Sequence, residues 1–431
     1  MRSRNVPAVL LAGLLAASAV AAGNGPVAAA VPESPSSDVA EVDERAGEVF
    51  WRGAWTAAQQ PLHPFIPGWA RRGFTDQSVR QVVRISVGGS YVRIRLSNVY
   101  GTVPLPLTGA TIARAGTGAA LQRGSQRHIT FSGRQWAQIP VGAELDSDPL
   151  LMVTSPLEKL TVTLYFARHT GQATYHSRAT ATIYLANGDH RVDPAAAAFT
   201  GRSGSWYFPS RVDVRGAQAR QPDGIVALGD SITDGYGSTP NMDNRYPDEL
   251  AERLVRDNTP RPVLNAGISA NRVLSDSPCG GESAIARFRR DVATQRGVRT
   301  VIVLGGINDI KAQGGTSGCA EGAPRITAQR LIEGHRYLIK WARERGFTVI
   351  GGTLTPCSCV GGNEAIRTEV NRWIRSTAGA GGYDAVADFD SALANPDNRH
   401  ALRPAYDSGD HLHPNNAGYR RMAETIPLTG L

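Results

Sequence analysis

The sequence predicts a three-layer α/β domain preceded by an all-β sandwich, and two observations predict it. Residues 49–215 form short runs of alternating apolar and polar side chains with turn residues between them, which is typical of a jelly-roll-like sandwich. Between residues 222 and 431, short apolar runs alternate instead with helical patterns, which indicates a parallel sheet covered on both faces. A length of 431 residues agrees with two such domains.

The β half alternates most clearly in two segments. Residues 79–98 carry apolar side chains at alternate positions on either side of Gly88-Gly89, which predicts a hairpin with a two-glycine turn. Residues 159–167 alternate in the same way and predict a further strand. The apolar positions are Val83, Ile85, Val87, Val92, Ile94, Leu96, Leu160, Val162, Leu164 and Phe166.

A polar stretch without periodicity, residues 215–224, predicts the boundary between the two domains. Beyond it, five apolar runs suit buried parallel strands, and patterns such as residues 246–258 and 326–346 predict helices between them. Right-handed crossovers then give a doubly wound domain, in which ligands bind at the carboxyl ends of the strands. The predicted strands are Ile225–Leu228, Pro262–Leu264, Thr300–Leu304, Thr348–Ile350 and Ala385–Phe389.

The N-terminus predicts export. Arg2 and Arg4 precede an apolar stretch and then Ala-x-Ala arrangements, the pattern of a secretory signal peptide. The apolar stretch is shorter than the ~20 residues that a membrane span needs. We therefore expect residues 1–30 to be a signal peptide, residues 31–48 to be a flexible leader, and the mature chain to be secreted without membrane insertion.

Four cysteines in an exported chain favour two disulfides. A zinc site is the rival interpretation, but the C-x-C of Cys357 and Cys359 has no second close pair. We expect one of the bridges to join Cys279 and Cys319.

The net charge of +8 comes almost entirely from arginine, and a basic chain can attract anionic polymers. The sequence shows neither a clustered basic helix nor aromatic residues interleaved with basic ones. We therefore expect no nucleic-acid partner.

The first predicted strand ends in Gly229-Asp230-Ser231. A serine between a strand and a helix is often a helix cap, so capping is the alternative to a nucleophilic role for Ser231. The G-x-S-x-G elbow of α/β-hydrolases is absent, because Thr233 takes the place of its last glycine.

Two further strand ends carry polar candidates. Gly267, between Asn265 and Asn271, follows the second strand and could expose its N–H to a ligand, or simply make a turn. Asn308 and Asp309 follow the third strand, where an Asn side chain can donate to an oxyanion or form an Asx turn.

A loop near the C-terminus contains a possible base. Asp410 and His413 are three residues apart, before a helix that Pro414 is expected to open. A nucleophilic serine needs a base such as histidine, which works better when a carboxylate holds its other nitrogen. Asp407 and His411 are rival assignments, and a solvated loop without chemistry is the alternative.

Together these blocks resemble the SGNH hydrolases, also called GDSL esterases and lipases. That family is named for a Ser in G-D-S, a Gly, an Asn in G-x-N-D and a His in D-x-x-H. All four blocks occur here in order, with Gly229-Asp230-Ser231, Gly267, Gly306-Ile307-Asn308-Asp309 and Asp410-His411-Leu412-His413. The serine block reads GDSIT instead of GDSL, a variation that leaves the chemistry intact.

The resemblance implies a flavodoxin-like fold and an esterase without cofactor or metal. It implies Ser231 as nucleophile, His413 as base and Asp410 as the carboxylate that orients His413. The implied oxyanion hole consists of the N–H groups of Ser231 and Gly267 and the side chain of Asn308. Asp309 and Asp230 are expected to hold loops.

The substrate is less defined by the sequence. The β half resembles the accessory sandwiches of some secreted bacterial carbohydrate esterases, which suggests acetyl groups on a polysaccharide. A lipase or phospholipase is the rival within the class, and a glycan-binding protein with an inactive hydrolase half is the rival outside it. Tryptophans of the β half, namely Trp51, Trp55, Trp69 and Trp136, could stack on sugar rings, and the alternative is that they fill the sandwich core. We expect the protein to be a monomer.

Overall fold

The structure is a computed structural model that describes residues 51–63, 68–216, 223–379 and 381–428. All of them belong to one compact unit, Val49–Leu431. The expected signal peptide and leader, residues 1–30 and 31–48, lie outside the described residues.

The first half consists mainly of antiparallel sheets, as its alternating pattern predicts. Its strands are β1 (Arg52–Thr56), β2 (Gln77–Arg84), β3 (Tyr91–Ser97), β4 (Leu105–Leu107), β5 (Gly109–Arg114), β6 (Arg127–Ile129), β7 (Ala137–Ile139), β8 (Glu144–Asp146), β9 (Leu150–Leu151), β10 (Lys159–Phe166), β11 (Tyr175–His176), β12 (Ile183–Asn187), β13 (Gly201–Ser203), β14 (Trp206–Tyr207) and β15 (Pro209–Arg215), and its helix is α1 (Gly68–Arg72).

Two of these sheets make the sandwich. A five-stranded sheet has the order β1-β15-β3-β8, with β9 also paired to β3, and a six-stranded sheet has the order β13-β12-β2-β10-β5-β6. Apolar side chains of both sheets form one core, in which Ile94 and Val212 of one sheet join Val83 and Val162 of the other. The pairs β4–β7 and β11–β14 lie outside these two sheets.

The hairpin predicted around Gly88-Gly89 is wrong. β2 pairs with β10 and β12, whereas β3 pairs with β15, β8 and β9, so the glycines lie where the chain crosses from one sheet to the other. Close backbone approaches make this crossing: a Cβ on Gly88 would lie 2.1 Å from the carbonyl oxygen of Thr154, and a Cβ on Gly89 would lie 2.9 Å from that of Arg215. Alternation alone predicts a strand but not the sheet to which it belongs.

The second half is built on a five-stranded parallel sheet. Its strands are β16 (Gly224–Gly229), β17 (Val263–Gly267), β18 (Val298–Leu304), β19 (Thr348–Gly352) and β20 (Ala385–Ala387). Their order across the sheet is β17-β16-β18-β19-β20, and every pairing is parallel. Counted within this half, the order is 2-1-3-4-5, which is the flavodoxin-like arrangement.

Helices cover both faces of this sheet. They are α2 (Ser231–Asp234), α3 (Tyr246–Arg256), α4 (Ala284–Phe288), continued by a π-helical turn at Arg289–Ala293, α5 (Ile307–Ala312), α6 (Ala328–Arg343), α7 (Glu364–Ser376), α8 (Phe389–Leu393) and α9 (Asn416–Thr425). Short 3₁₀ turns at Gly318–Ala320, Gly361–Asn363 and Pro404–Tyr406, and the strand pair β21 (Ala394–Asn395) and β22 (Asn398–Leu402), complete the half.

Alternate side chains of β16 show the three layers. Ile225 and Ala227 pack in one cluster with α3, α8 and α9. Val226 and Leu228 pack in another with α4, α6 and α7. The strands are therefore buried on both faces, which explains their continuous apolar runs.

The last predicted strand, Ala385–Phe389, is too long. β20 ends at Ala387, because the side chain of Asp388 accepts a hydrogen bond from the N–H of Ser391 and starts α8 at Phe389.

The sandwich covers the edge of the parallel sheet at β17. The side-chain oxygen of Ser86 accepts a 3.0 Å hydrogen bond from the N–H of Val263, and the N–H of Gly53 donates to the carbonyl of Arg296. An uncovered edge strand would present unpaired backbone groups to other chains.

Both disulfides lie in the second half. Cys279 is bonded to Cys319, as expected, and Cys357 is bonded to Cys359. The first bridge links positions 40 residues apart and the second links positions two residues apart.

Replacing both Cys279 and Cys319 by serine is expected to lower the free energy of unfolding by roughly 2–4 kcal/mol, because a bridge across a long loop restricts the unfolded chain. Urea denaturation measures this loss. The double substitution of Cys357 and Cys359 is the matched control and is expected to cost much less, since its loop is short. Equal losses from the two pairs would contradict the account.

Candidate active site

The nucleophile candidate begins a very short helix at the carboxyl end of β16. Asp230, not Ser231, caps α2: its carboxylate accepts a 3.0 Å hydrogen bond from the N–H of Ile232. This leaves the hydroxyl of Ser231 without a capping role. Because β16 lies between β17 and β18, Ser231 stands at the point where the strand order reverses, the usual ligand position in such sheets.

Ser231, His413 and Asp410 form one continuous hydrogen-bonded chain. The Oγ of Ser231 lies 2.8 Å from Nε2 of His413, and Nδ1 of His413 lies 2.5 Å from Oδ2 of Asp410. The other carboxylate oxygen of Asp410 accepts hydrogen bonds from the N–H groups of Leu412 and His413. The imidazole is thus held with one nitrogen toward the carboxylate and the other toward the serine.

The rival residues lie in the same loop and pair with each other. Nδ1 of His411 is 2.7 Å from Oδ2 of Asp407, and both the His411 and Gly409 N–H groups donate to Asp407. Neither contacts Ser231.

Pro414 does not open the following helix. α9 begins at Asn416, and Asn415 caps it by accepting a 3.0 Å hydrogen bond from the N–H of Gly418. Pro414 instead forms a bridge with Asp407 that closes the loop.

The two ionisable members of the chain have shifted pKa values. Although burial opposes it, hydrogen bonds from the side chain and backbone of His413 and from Leu412 lower the pKa of Asp410 to about 2. Burial lowers the pKa of His413, with smaller contributions from Lys311 and Arg178, and together these outweigh the attraction of Asp410. At neutral pH the pair is a carboxylate and a neutral imidazole, the state that can accept a proton.

We expect His413 to titrate with a midpoint below 6.5, because burial disfavours its charged form. Proton NMR of the imidazole resonances across pH 4–8 measures the midpoint, and a His413→Gln variant assigns the signal. A midpoint above 6.5 would show that Asp410 outweighs burial.

Gly267, the oxyanion candidate on the second strand, already uses its N–H. That group donates a 2.9 Å hydrogen bond to the side-chain oxygen of Asn265. Gly267 is nevertheless required at this position, because a Cβ would lie 2.2 Å from the backbone nitrogen of Asp234 in α2.

The turn after Gly267 presents a free N–H. In residues 268–271, the N–H groups of Ile268, Ser269 and Asn271 are bonded, whereas that of Ala270 has no partner within the described part of the chain. Ala270 has a φ of 63°, unusual for a residue with a Cβ.

Contacts on both sides hold this turn in place. Ser269 donates through its N–H and its hydroxyl to Asp234 at the end of α2. The carbonyl of Asn271 accepts a 3.0 Å hydrogen bond from Nδ2 of Asn308, which leaves the second amide hydrogen of Asn308 to donate elsewhere. The N–H of Ser231, at the first position of α2, has no intrahelical acceptor.

Three buried ionisable side chains hold the strand ends. The guanidinium of Arg287 donates to the carbonyls of Gly229 and Ala266, at 2.8 and 2.7 Å, and to the side chains of Asn271 and Asp291. Asp309 accepts from the N–H groups of Val273 and Leu274, the loop-holding role expected of it. Burial raises the pKa of Asp309 to about 6 and that of Asp230 to about 7.

Tyr236 lies between the histidine and the β half. Its ring stacks on His413 with the centroids 4.2 Å apart, and the guanidinium carbon of Arg178 lies 4.0 Å from its centroid. Two groups this close to one ring centroid cannot share a face, so Tyr236 is sandwiched between Arg178 and His413.

A buried histidine of the β half contacts α2 directly. Nε2 of His176 lies 3.0 Å from Oδ1 of Asp234, and Nδ1 lies 2.8 Å from the carbonyl of Ala58. Although burial opposes it, His176, Ser269 and Arg178 lower the pKa of Asp234. The helix that carries Ser231 is therefore held from one side by the β half.

We expect His176→Ala to lower the free energy of unfolding by roughly 1–3 kcal/mol, because Oδ1 of the buried Asp234 loses its hydrogen-bond partner while Oδ2 keeps those of Ser269. Urea denaturation measures the loss. His400→Ala is the matched control: it removes an exposed contact with Glu364 and is expected to cost less than about 1 kcal/mol. Similar losses in both variants would contradict a stabilising role for the buried pair.

A cleft of about 530 Å³ lies beside α2, between the two halves of the chain. Its wall contains hydroxyl side chains and two arginines, with neither a carboxylate nor an aromatic ring. The lining residues are Ser177, Arg178, Thr180, Ala181, Thr182, Arg202, Ser203, Gly204, Ser205, Gly235, Gly237, Ser238 and Pro240.

The four tryptophans considered for stacking on sugar rings differ in environment. Trp55 belongs to the sandwich core and packs edge-on against Trp206, and the half-buried Trp69 packs against the same core. Trp51 is half-buried beside Arg93 and Arg215, whereas Trp136 is 52% exposed. Core filling therefore holds for Trp55, and Trp136 alone of the four offers a largely exposed ring.

Among the described residues, no three or more His, Cys, Asp or Glu side chains are grouped to hold a metal ion. In the same part of the chain, no helix combines the length and the apolar character needed to cross a membrane.

Sequence reasoning missed His176, Arg178, Tyr236 and Ala270. Tyr236 has a local signal, an aromatic residue inside the glycine-rich loop after Ser231. His176 and Arg178 have none, because they reach the site from a different half of the chain.

Comparisons with known proteins concern the second half. Residues 227–421 match the family model of the GDSL-like lipase/acylhydrolase family. A search of curated proteins found no match.

Several solved structures are similar. One is a member of the lipolytic G-D-S-L family from Veillonella parvula, with 22% identity over 48% of this chain and 99% of that chain, at a TM-score of 0.37. A GDSL-like lipase from Bacteroides thetaiotaomicron has 19% identity over 48% and 89%, at 0.35. An acetyl xylan esterase from Geobacillus stearothermophilus has 21% identity over 47% and 92%, at 0.36.

Proposed function

We propose that this chain is a secreted serine esterase that removes short acyl groups, above all acetyl, from a carbohydrate or another small hydrophilic alcohol. The match of residues 227–421 to the GDSL-like lipase/acylhydrolase family supports the ester hydrolase activity. The observation that carries the proposal is the hydrogen-bonded chain from Ser231 through His413 to Asp410 at the carboxyl edge of the sheet. Secretion belongs to the proposal, and the two disulfides are compatible with it.

In the proposed reaction, Oγ of Ser231 attacks the ester carbonyl while Nε2 of His413 takes the hydroxyl proton. His413 then gives this proton to the leaving alcohol, and an acyl group remains on Ser231. Water, deprotonated by His413, then attacks the acyl carbonyl, the bond to Oγ of Ser231 breaks, and His413 returns the proton to Oγ as the acid leaves. Asp410 stabilises the imidazolium in both steps.

Three groups are proposed to hold the oxyanion. The N–H of Ser231 and the second amide hydrogen of Asn308 are available without rearrangement. Gly267 could contribute only if Asn265 released its N–H, so the free N–H of Ala270 is the better third donor.

Burial and polarity support a short acyl group and a hydrophilic alcohol. Ser231 and His413 are each only 7% exposed, which restricts access to the reacting atoms. The adjoining cleft is lined by hydroxyls instead of aliphatic chains, which suits a sugar better than a lipid tail.

Hydrolysis of p-nitrophenyl esters from acetate to palmitate tests the proposal. We expect the highest kcat/KM with acetate and loss of activity in Ser231→Ala. A rate that grows with chain length would favour a lipase instead. Absence of hydrolysis with folded wild-type protein would overturn the enzyme proposal and favour a glycan-binding protein.

Asn308→Ala is expected to lower kcat for p-nitrophenyl acetate by about 10²–10³-fold, because it removes one oxyanion donor. Asn308→Asp keeps the size but loses the donor, so it is expected to be impaired as well. Circular dichroism and the thermal midpoint check that both variants are folded. Near-normal turnover in Asn308→Ala would remove this side chain from the mechanism.

A further inference from the structure

We propose that the hydroxyl-lined cleft beside α2 binds a carboxylate-bearing sugar of the substrate, with Arg178 and Arg202 as the groups that recognise the carboxylate. This inference rests on the proposed esterase function and narrows its substrate to an acidic glycan, in which the acylated sugar neighbours a uronic acid.

Neither arginine of the cleft, the half-buried Arg178 or the exposed Arg202, forms a salt bridge with a described residue. By contrast, the half-buried Arg93 and the buried Arg211 of the sandwich both contact the buried Asp213. Asp234, whose pKa the charge of Arg178 lowers, lies beyond salt-bridge distance, and the Nε of Arg178 is buried without a hydrogen-bond partner. Two arginines without a salt bridge that line one cavity are suited to a carboxylate supplied by a ligand.

The position of Arg178 connects the cleft to the reacting atoms. Arg178 lines the cleft and also lies against the face of Tyr236 opposite His413. The ring of Tyr236, 37% exposed, thus separates an anion in the cleft from the imidazole. A carboxylate held there belongs to a part of the substrate one sugar away from the ester, not to the ester itself.

The rest of the lining favours a sugar over other anions. Six residues with hydroxyl side chains line the cleft: Ser177, Thr180, Thr182, Ser203, Ser205 and Ser238. The hydroxyls of Thr180, Ser205 and Ser238 donate to backbone carbonyls, which leaves their lone pairs to accept further hydrogen bonds. Hydroxyls of this kind pair with sugar hydroxyls, whereas a phospholipid would need apolar surface, which here is limited to Ala181 and Pro240. The volume of about 530 Å³ lies within the range of roughly 300–1,000 Å³ for small-molecule sites.

The charge of the whole chain agrees with this substrate class. The net charge of +8, which is +6 without Arg2 and Arg4 of the expected signal peptide (8 minus 2), attracts an acidic polymer and speeds its association.

Binding to a catalytically inactive variant tests the proposal. Calorimetry with Ser231→Ala compares tri-galacturonate with xylotriose, a neutral oligosaccharide of equal length. We expect tri-galacturonate to bind at least about tenfold more tightly, because a hydrogen-bonded charge pair contributes more than about one factor of ten. We expect the preference to weaken as salt is raised, since charge attraction is screened.

Arginine variants in the Ser231→Ala background locate the site. Arg178→Gln and Arg202→Gln are each expected to remove most of the preference for tri-galacturonate, whereas Arg123→Gln, an exposed arginine outside the cleft, is expected to retain it. Arg202 is exposed, so its variant decides the outcome even if Arg178→Gln folds poorly. Equal affinity for the two oligosaccharides, no binding of either, or a preference that survives both substitutions would overturn the proposal.

Competition identifies the ligand class. Two competitors, monomeric galacturonate and inorganic phosphate, are added at equal concentration to the complex with tri-galacturonate. We expect galacturonate to displace more of the bound tri-galacturonate than phosphate does. Equal displacement by the two would overturn the assignment to a sugar. The esterase function is judged separately by wild-type hydrolysis of p-nitrophenyl acetate, a neutral ester that has no carboxylate for the two arginines to recognise. Retained sugar binding without hydrolysis would therefore defeat the esterase proposal alone.

Discussion

The arrangement of the active site depends on one buried guanidinium. Arg287 joins the carbonyl of Gly229, at the end of the strand before Ser231, to that of Ala266, at the end of the neighbouring strand. It also binds the side chain of Asn271, in the turn that meets Asn308. A buried charge is tolerated only when its donors are satisfied, so each carbonyl must stay where the guanidinium reaches it. The spacing between the serine and the oxyanion donors follows from this constraint.

The carboxylates around the site are of two kinds, which differ in burial and in the direction of their pKa shift. Asp230 and Asp309 are enclosed, bind backbone N–H groups and have raised pKa values. Asp410 is exposed on its loop, binds His413 and has a pKa of about 2. The first kind holds the shape of the strand ends, whereas the second is ionised at any pH at which the imidazole titrates. A carboxyl group thus holds the backbone at the strand ends in one case and stabilises the positive charge of the imidazolium in the other.

Local patterns in the sequence predict the parts of the fold that depend on local forces. The apolar runs of β16 to β19 and the helix at 246–258 can be recognised without reference to the rest of the chain. The Ser, Asn and His blocks can likewise be assigned to strand ends and to one loop from the sequence. The sheet of β3 and the start of α9 were mispredicted, since a two-glycine turn and a proline admit more than one continuation. His176 and Arg178 could not be predicted, because their contacts with α2 and Tyr236 join segments about 60 residues apart. The roles of Ser231, His413, Asp410, Gly267 and Asn308 stay predictions.

The contact between His176 and Asp234 bears on how such a chain can be recombined. A family domain that ends at its own sequence limits would leave Asp234 facing water and Tyr236 without the guanidinium on its outer face. The two halves are therefore not interchangeable modules. A β-sandwich taken from another chain would need a histidine and an arginine two positions apart, placed so that they contact Asp234 and Tyr236. Exchange of the first half among related chains is restricted to donors that carry this pair.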